Sequence, residues 1–259
     1  MFQEWFWAAT ASIIDEAKPL GFARELARHK ARWRRNAQAW RPHLESSHRC
    51  ILRAAREASD RDLAVVAGSG WCLDVPLAEL SRMFKKVLLV DAAHPRQVRR
   101  TAARLGNVEL LGADLTGYLG AVVRSLSTGM RLTSRPTPPE SLSGLRPGLT
   151  VSANTLSQLP LIPLERLWTS GQCSDEQLQA FARSVIEGHL AWLDSLEGVR
   201  CLLADHAWLG IAAEETLASD PLHGIRPPEP SERWEWRYAP KPEAHPSRDV
   251  VHVVGCSIF

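Results

Sequence analysis

The chain lacks several features, and each absence excludes something. No apolar run approaches the roughly 18 residues that a membrane span needs. The first 14 residues are apolar, but they carry Glu4 and no basic stretch, so they make a poor signal peptide. Charge of neither sign dominates: 31 Lys and Arg against 29 Asp and Glu leave +2, too little to argue for a nucleic-acid partner. There is no CxxC pair. The five cysteines, Cys50, Cys72, Cys173, Cys201 and Cys256, are odd in number and widely spaced, which suits neither a disulfide framework nor a zinc site. Cys201 and Cys256 fall in apolar runs and are expected as buried thiols, and a reducing, cytoplasmic compartment is expected. Tyrosine is scarce, with two against ten tryptophans, which fits an Arg- and Ala-rich bacterial style of composition.

What is present is an α/β pattern. The 259 residues are 45% hydrophobic, enough for one large domain or one domain with an appendage. The organising stretch is Leu63 to Asp91. An apolar run, Leu63 to Ala67, ends in Gly68-Ser69-Gly70. A helical pattern spans Val75 to Phe84, with Asp74 near its N-cap and Pro76 in its first turn. A second apolar run, Val87 to Val90, ends on Asp91. Strand, glycine turn, helix, strand and acid form a nucleotide-binding pattern: glycines let backbone approach the ligand, and the acid accepts from ribose hydroxyls.

Further units follow. A helix with a basic face covers Pro95 to Leu105, and Gly106-Asn107 ends it. A third strand, Val108 to Leu111, leads into Gly112-Ala113-Asp114 and a helical stretch from Leu115 to Leu126. Residues 127–148, rich in Pro, Ser, Thr and Gly, read as a loop. Strand four is Leu149 to Ala153, followed by Asn154 and an irregular segment, Leu161 to Cys173, that could line a pocket. Ser174 with Gln177 has capping-box spacing for a helix reaching about Leu196. Strand five, Val199 to Ala204, ends in Asp205-His206-Ala207-Trp208. A short helix is expected over Ala212 to Ala218. Two last strands, Arg233 to Tyr238 and Val250 to Phe259, are joined by a connection without helical pattern, so they should pair antiparallel. Ahead of all this, residues 3–58 read as helices broken at Pro42. The basic segment Arg24 to Arg41 is either a solvated face, with Arg stems beside Trp33 and Trp40, or an anion-binding face; Trp5, Phe6 and Trp7 could touch a membrane surface.

Five βα units closed by an antiparallel pair resemble the class I S-adenosylmethionine-dependent methyltransferases, over about residues 60–259. The resemblance implies a three-layer, Rossmann-like, seven-stranded sheet of order 3-2-1-4-5-7-6 with strand 7 antiparallel, and residues 1–59 as a helical lid or extension. It implies S-adenosyl-L-methionine as cofactor, held by Gly68, Ser69, Gly70, Asp91, Ala92, Asp114, Leu115 and Asn154. Asp91 would take the ribose, and Asp114 the adenine amine. Val66 stands where the family carries an acid, and Cys72 where it carries a third glycine.

The expected activity is methyl transfer to a small-molecule or anionic substrate. His206, with Asp205 beside it, is expected as base because both end strand five at the carboxyl edge and imidazole titrates near neutral pH. Gln158 and Trp208 would shape the acceptor pocket. Two alternatives stand beside this reading: a binding or scaffold protein that kept the fold without catalysis, and an NAD(P)-dependent oxidoreductase. Leu73 at the third glycine position of GxGxxG weighs against the last.

Overall fold

The structure, a computed structural model, describes residues 2–130, 132, 140–213 and 215–259. Its helices are α1 (Phe2–Thr10), α2 (Phe22–Arg35), α3 (Ala37–Glu57), α4 (Leu77–Met83), α5 (Arg96–Leu105), α6 (Leu119–Thr128), α7 (Leu161–Ser170) and α8 (Asp175–Asp194). Its strands are β1 (Ser12–Ile13), β2 (Leu63–Ala67), β3 (Lys86–Asp91), β4 (Ala93–His94), β5 (Val108–Gly112), β6 (Leu149–Ala153), β7 (Val199–Ile211), β8 (Thr216–Ser219), β9 (Glu232–Ala239) and β10 (Asp249–Ile258).

The main sheet runs β5-β3-β2-β6-β7-β10-β9. The first five strands are parallel, and β10 is antiparallel to both neighbours. This is the 3-2-1-4-5-7-6 order of the methyltransferase fold, so the expected sheet is observed. The eighth strand, β8, pairs only with the outer part of β7. The central strands are buried on both faces. Ala64 and Val66 of β2 pack on one side with Ile51 and Ala54 of α3 and Leu80 of α4; Val65 and Ala67 pack on the other with Ile186 and Leu193 of α8. That two-sided burial is why parallel strands read as continuous apolar runs. Helix α3 therefore belongs to this core, while Leu119 and Val122 of α6, Leu167 of α7 and Phe181 of α8 form a separate cluster against which Phe22 of α2 packs.

Several local expectations are corrected. Pro42 does not break the helix; it lies inside α3. It sits in the second turn, where it removes one ladder bond, and the packing of Cys50, Ile51 and Ala54 beyond it holds the helix. Helix α4 starts at Leu77 behind Pro76, so Asp74 is not its cap. Residues 114–118 form a turn, and α6 starts only at Leu119. Leu161 to Ser170 is regular helix, ended by Gly171 at φ +67°. The described residues of 212–218 form no helix: β7 runs on to Ile211, Ala212 N–H donates to Glu215 O (2.9 Å), and the chain returns as β8. The loop expected at 127–148 lies partly outside the described residues. The capping box at Ser174 and Gln177 is present.

Cys256 is not a free thiol, since it is disulfide-bonded to Cys50, 206 residues away in sequence, with buried Cys201 beside them. Sequence spacing carries no trace of a pairing made by α3 crossing β10. Among the described residues, no helix is long and apolar enough to cross a membrane.

Candidate functional site

A cavity of about 640 Å³ opens at the carboxyl ends of the parallel strands, within the roughly 300–1,000 Å³ range of small-molecule sites. Helix α2 covers it. Phe22, Glu25, Leu26 and His29 recur at helical spacing on the face turned inward. Trp71, next to the glycine turn, ties this cover down by donating from Nε1 to Leu26 O (2.8 Å). Lys30 lies 4.0 Å over the Trp33 ring and 4.8 Å over Trp71; burial, then Arg34, lowers its pKa to about 8. Arg35 and Arg41 of the basic segment are engaged elsewhere, with Glu243 and Glu45, and Arg32 bridges Glu243 and the Tyr238 hydroxyl. Arg28 alone of its arginines lines the cavity.

The sheet edge supplies one half of the wall. After β2 the chain turns at Gly68 (φ +74°) and Gly70 (φ +45°). A Cβ on Gly68 would stand 2.4 Å from Thr155 Cβ, so only glycine lets the loops after β2 and β6 approach this closely. Gly70 N–H donates to Asp91 Oδ2 (2.8 Å), and Ala93 N–H to Asp91 Oδ1 (3.1 Å). Burial nonetheless pushes the Asp91 carboxyl above its usual range. Asp114 Oδ1 accepts from Thr116 N–H and Oγ, and its Oδ2 accepts from Leu119 N–H (2.8 Å), so it also caps the entry to α6. Asn154 sits at φ +50°, buried. Its Oδ1 and the Ser69 Oγ are buried without hydrogen-bond partners among the described residues. Such orphaned polar atoms call for a ligand or water. Asp74 also lines this half, and burial raises its pKa to about 7.

The other half is an aromatic and histidine box that sequence reasoning missed. Trp40 and His43 come from α3, Trp236 and Tyr238 from β9, and His252 from β10. Trp40 Nε1–H donates to Tyr238 O (2.9 Å), and its ring stacks on Tyr238 (5.6 Å, 22°). His43 stacks on Trp236 (4.0 Å, 7°) and accepts at Nδ1 from Trp234 Nε1–H (3.1 Å). Burial lowers the His43 pKa to about 3 and, with Arg32 and Lys30, that of His29 to about 4, so both are neutral at pH 7. The one signal for this box was the period-2 placement of Trp234, Trp236 and Tyr238, which sets three rings on one strand face.

Of the expected site residues, Gly68, Ser69, Gly70, Asp91, Ala92, Asp114, Leu115, Asn154, Gln158 and Trp208 all line the one cavity. His206 and Asp205 do not. His206 packs its ring against Gly255, where a Cβ would stand 2.4 Å from its Nε2, and burial, then Arg233, lowers its pKa. Strand β7 carries a bulge here: Asp205 pairs with Val254 and Ala207 with Val253, which leaves His206 as the extra residue. Asp205 is fully buried behind the wall; its Oδ2 accepts from Ser157 Oγ (2.8 Å) and Trp208 Nε1 (2.8 Å) and lies 3.2 Å from His252 Nδ1. Val66, at the position of the family's first acid, is packed in the core against α3 and α4.

No protein-family model matches the chain, and no curated protein matches it. Among solved structures it is similar to DhpI bound to S-adenosylhomocysteine, at 16% identity, covering 90% of this chain and 94% of that one, with a TM-score of 0.37. It is similar to the N-methyltransferase NodS of Bradyrhizobium japonicum, also with S-adenosylhomocysteine, at 11% identity over 82% and 86%, TM-score 0.37. It is likewise similar to an rRNA methylase of Streptococcus thermophilus, at 14% identity over 81% and 93%, TM-score 0.30.

Proposed function

We propose that this chain is an S-adenosylmethionine-dependent methyltransferase acting on a small molecule enclosed under α2. The observation that carries the reading is convergence. The ends of β2, β3, β5 and β6 bring Gly68 to Gly70, Asp91, Asp114 and Asn154 to one cavity, on a sheet of methyltransferase order. The residues fit the cofactor chemically. Asp91 offers a carboxylate to ribose hydroxyls, Asn154 Oδ1 and Ser69 Oγ offer unused polar atoms, and Asp74 offers a carboxylate near the turn where Val66 replaces the usual acid. When bound, S-adenosylmethionine supplies an already activated methyl group, so the protein's work is alignment and water exclusion.

The cavity lining also bears on the acceptor. Glu25, Asp74, Asp91, Asp114 and Glu165 face Arg28 as the one Lys or Arg among them, which disfavours the anionic substrate that the basic segment suggested. Calorimetric titration with S-adenosylmethionine, and separately with NAD, tests the reading. Binding of the first that is lost in Asp91→Ala is expected; binding of NAD alone would overturn it.

A further inference from the structure

We propose that the aromatic half of the cavity is the acceptor site, that His252 takes the acceptor's proton, and that Asp205 is the positioning residue behind it. The acceptor class that fits is a small planar aromatic or heteroaromatic compound with an ionisable O–H or N–H. This rests on the methyl-transfer reading above.

The bulge at His206 is what assembles the pair. Without it, Asp205 and Trp208, three residues apart, would point to opposite faces of β7. With it, Trp208 Nε1 and Ser157 Oγ both donate to Asp205 Oδ2, and His252 Nδ1 lies 3.2 Å from the same oxygen. Burial alone would raise the Asp205 pKa, but His252, Trp208 and Ser157 together hold it below the usual carboxylate range. His252 Nδ1 is buried with no hydrogen bond among the described residues and has this carboxylate 3.2 Å away, so we place the imidazole proton on Nδ1, toward Asp205, and give the Nε2 lone pair to the acceptor. Among the described residues, Nε2 makes no hydrogen bond, and His252 lines the cavity. The titratable and charged neighbours of His252 are Asp205, neutral His43, and Tyr238 with Arg32 behind it.

The walls set the shape of the ligand. His252 stacks on Tyr238 (4.4 Å, 23°) and lies 5.3 Å from Trp208 and from Trp236, so its part of the cavity wall is built of flat rings. Burial of His252 limits the acceptor to a group small enough to enter the cavity, and the acidic lining disfavours carboxylates and phosphates. In the step, the acceptor lone pair bonds to the methyl carbon, the sulfonium sulfur keeps the pair of the breaking bond, and the acceptor proton passes to His252 Nε2.

The test uses the full chain and a labelled methyl donor with a panel of phenols, indoles, imidazoles and aryl amines, set against aliphatic acids and a short RNA. In parallel, the His252 Cε1–H resonance is followed by NMR in the S-adenosylhomocysteine complex. A planar member is expected both to be methylated and to shift that resonance. His252→Ala should then lower kcat by about 10²–10⁴-fold with cofactor affinity unchanged. Asp205→Asn should lower kcat without raising KM, with partial rescue by Asp205→Glu. Where buried Asp205 variants lose the fold, Trp208→Phe, which removes one donor to Oδ2, should give a smaller fall in kcat. Wild-type kcat in His252→Ala, methylation confined to acids or RNA, or a panel that neither reacts nor shifts the resonance would each overturn the proposal. Failure to bind S-adenosylmethionine would instead overturn the methyltransferase reading.

Discussion

Gly70 N–H donates to Asp91 Oδ2 at 2.8 Å, so the turn after β2 and the acid ending β3 form one unit. Replacing Asp91 therefore removes the expected ribose partner and also loosens the turn. Asp91→Ala should abolish S-adenosylmethionine binding, measured by calorimetry, while Asp91→Glu keeps a weakened affinity.

Gly68→Ala should destabilise the protein by about 1–3 kcal/mol, from a strained left-handed backbone and contact with Thr155. Urea denaturation reads this directly. Adding Thr155→Gly should recover part of the loss, because the clash is with the Thr155 Cβ itself.

Asp74 gives a pH dependence of definite sign. Its pKa in the fold, about 7, lies above the ordinary 3.8, so the folded state holds its proton longer than the unfolded chain does. The stability associated with that proton is fully present below about pH 4 and is lost as pH rises toward 7. Asp74→Asn should flatten this part of the stability curve, raising ligand-free stability at pH 7 by on the order of 1 kcal/mol, while weakening S-adenosylmethionine.

Trp40 is the anchor between cover and sheet, being fully buried, bonded to Tyr238 O and in edge contact with Trp236. Trp40→Ala should cost about 3–5 kcal/mol. Trp40→Phe should cost less, since it keeps a ring and loses the indole donor. Thermal unfolding in both variants checks the order.

His206→Ala should leave turnover unchanged in the assay in which His252→Ala lowers kcat. The two histidines lie on neighbouring strands but on different sides of the wall, so a loss of kcat in His206→Ala would refute the placement of the base on β10.

Much of the fold was legible because β2, β3 and β6 are buried on both faces and leave unbroken apolar runs. The antiparallel closure was legible because the connection after Tyr238 holds no crossover helix. Pro42 and Ala212 to Ala218 misled for one reason: local propensity lost to packing, of α3 on the sheet and of β8 on an extended β7.

The strand-end half of the cavity was legible because strand ends are written locally in the chain: glycine, acid and asparagine each follow directly on an apolar run. The sequence by itself therefore determined the sheet and the residues that close β2, β3, β5 and β6 at its carboxyl edge. The aromatic and histidine half was decided only by the tertiary structure. A single extra residue in β7 turns His206 away and brings Trp208 round to Asp205, and the β7–β10 register sets His252 beside that carboxylate. Side-chain direction in a strand has period 2, so one bulge reverses everything beyond it, and pairing between distant strands leaves no local mark.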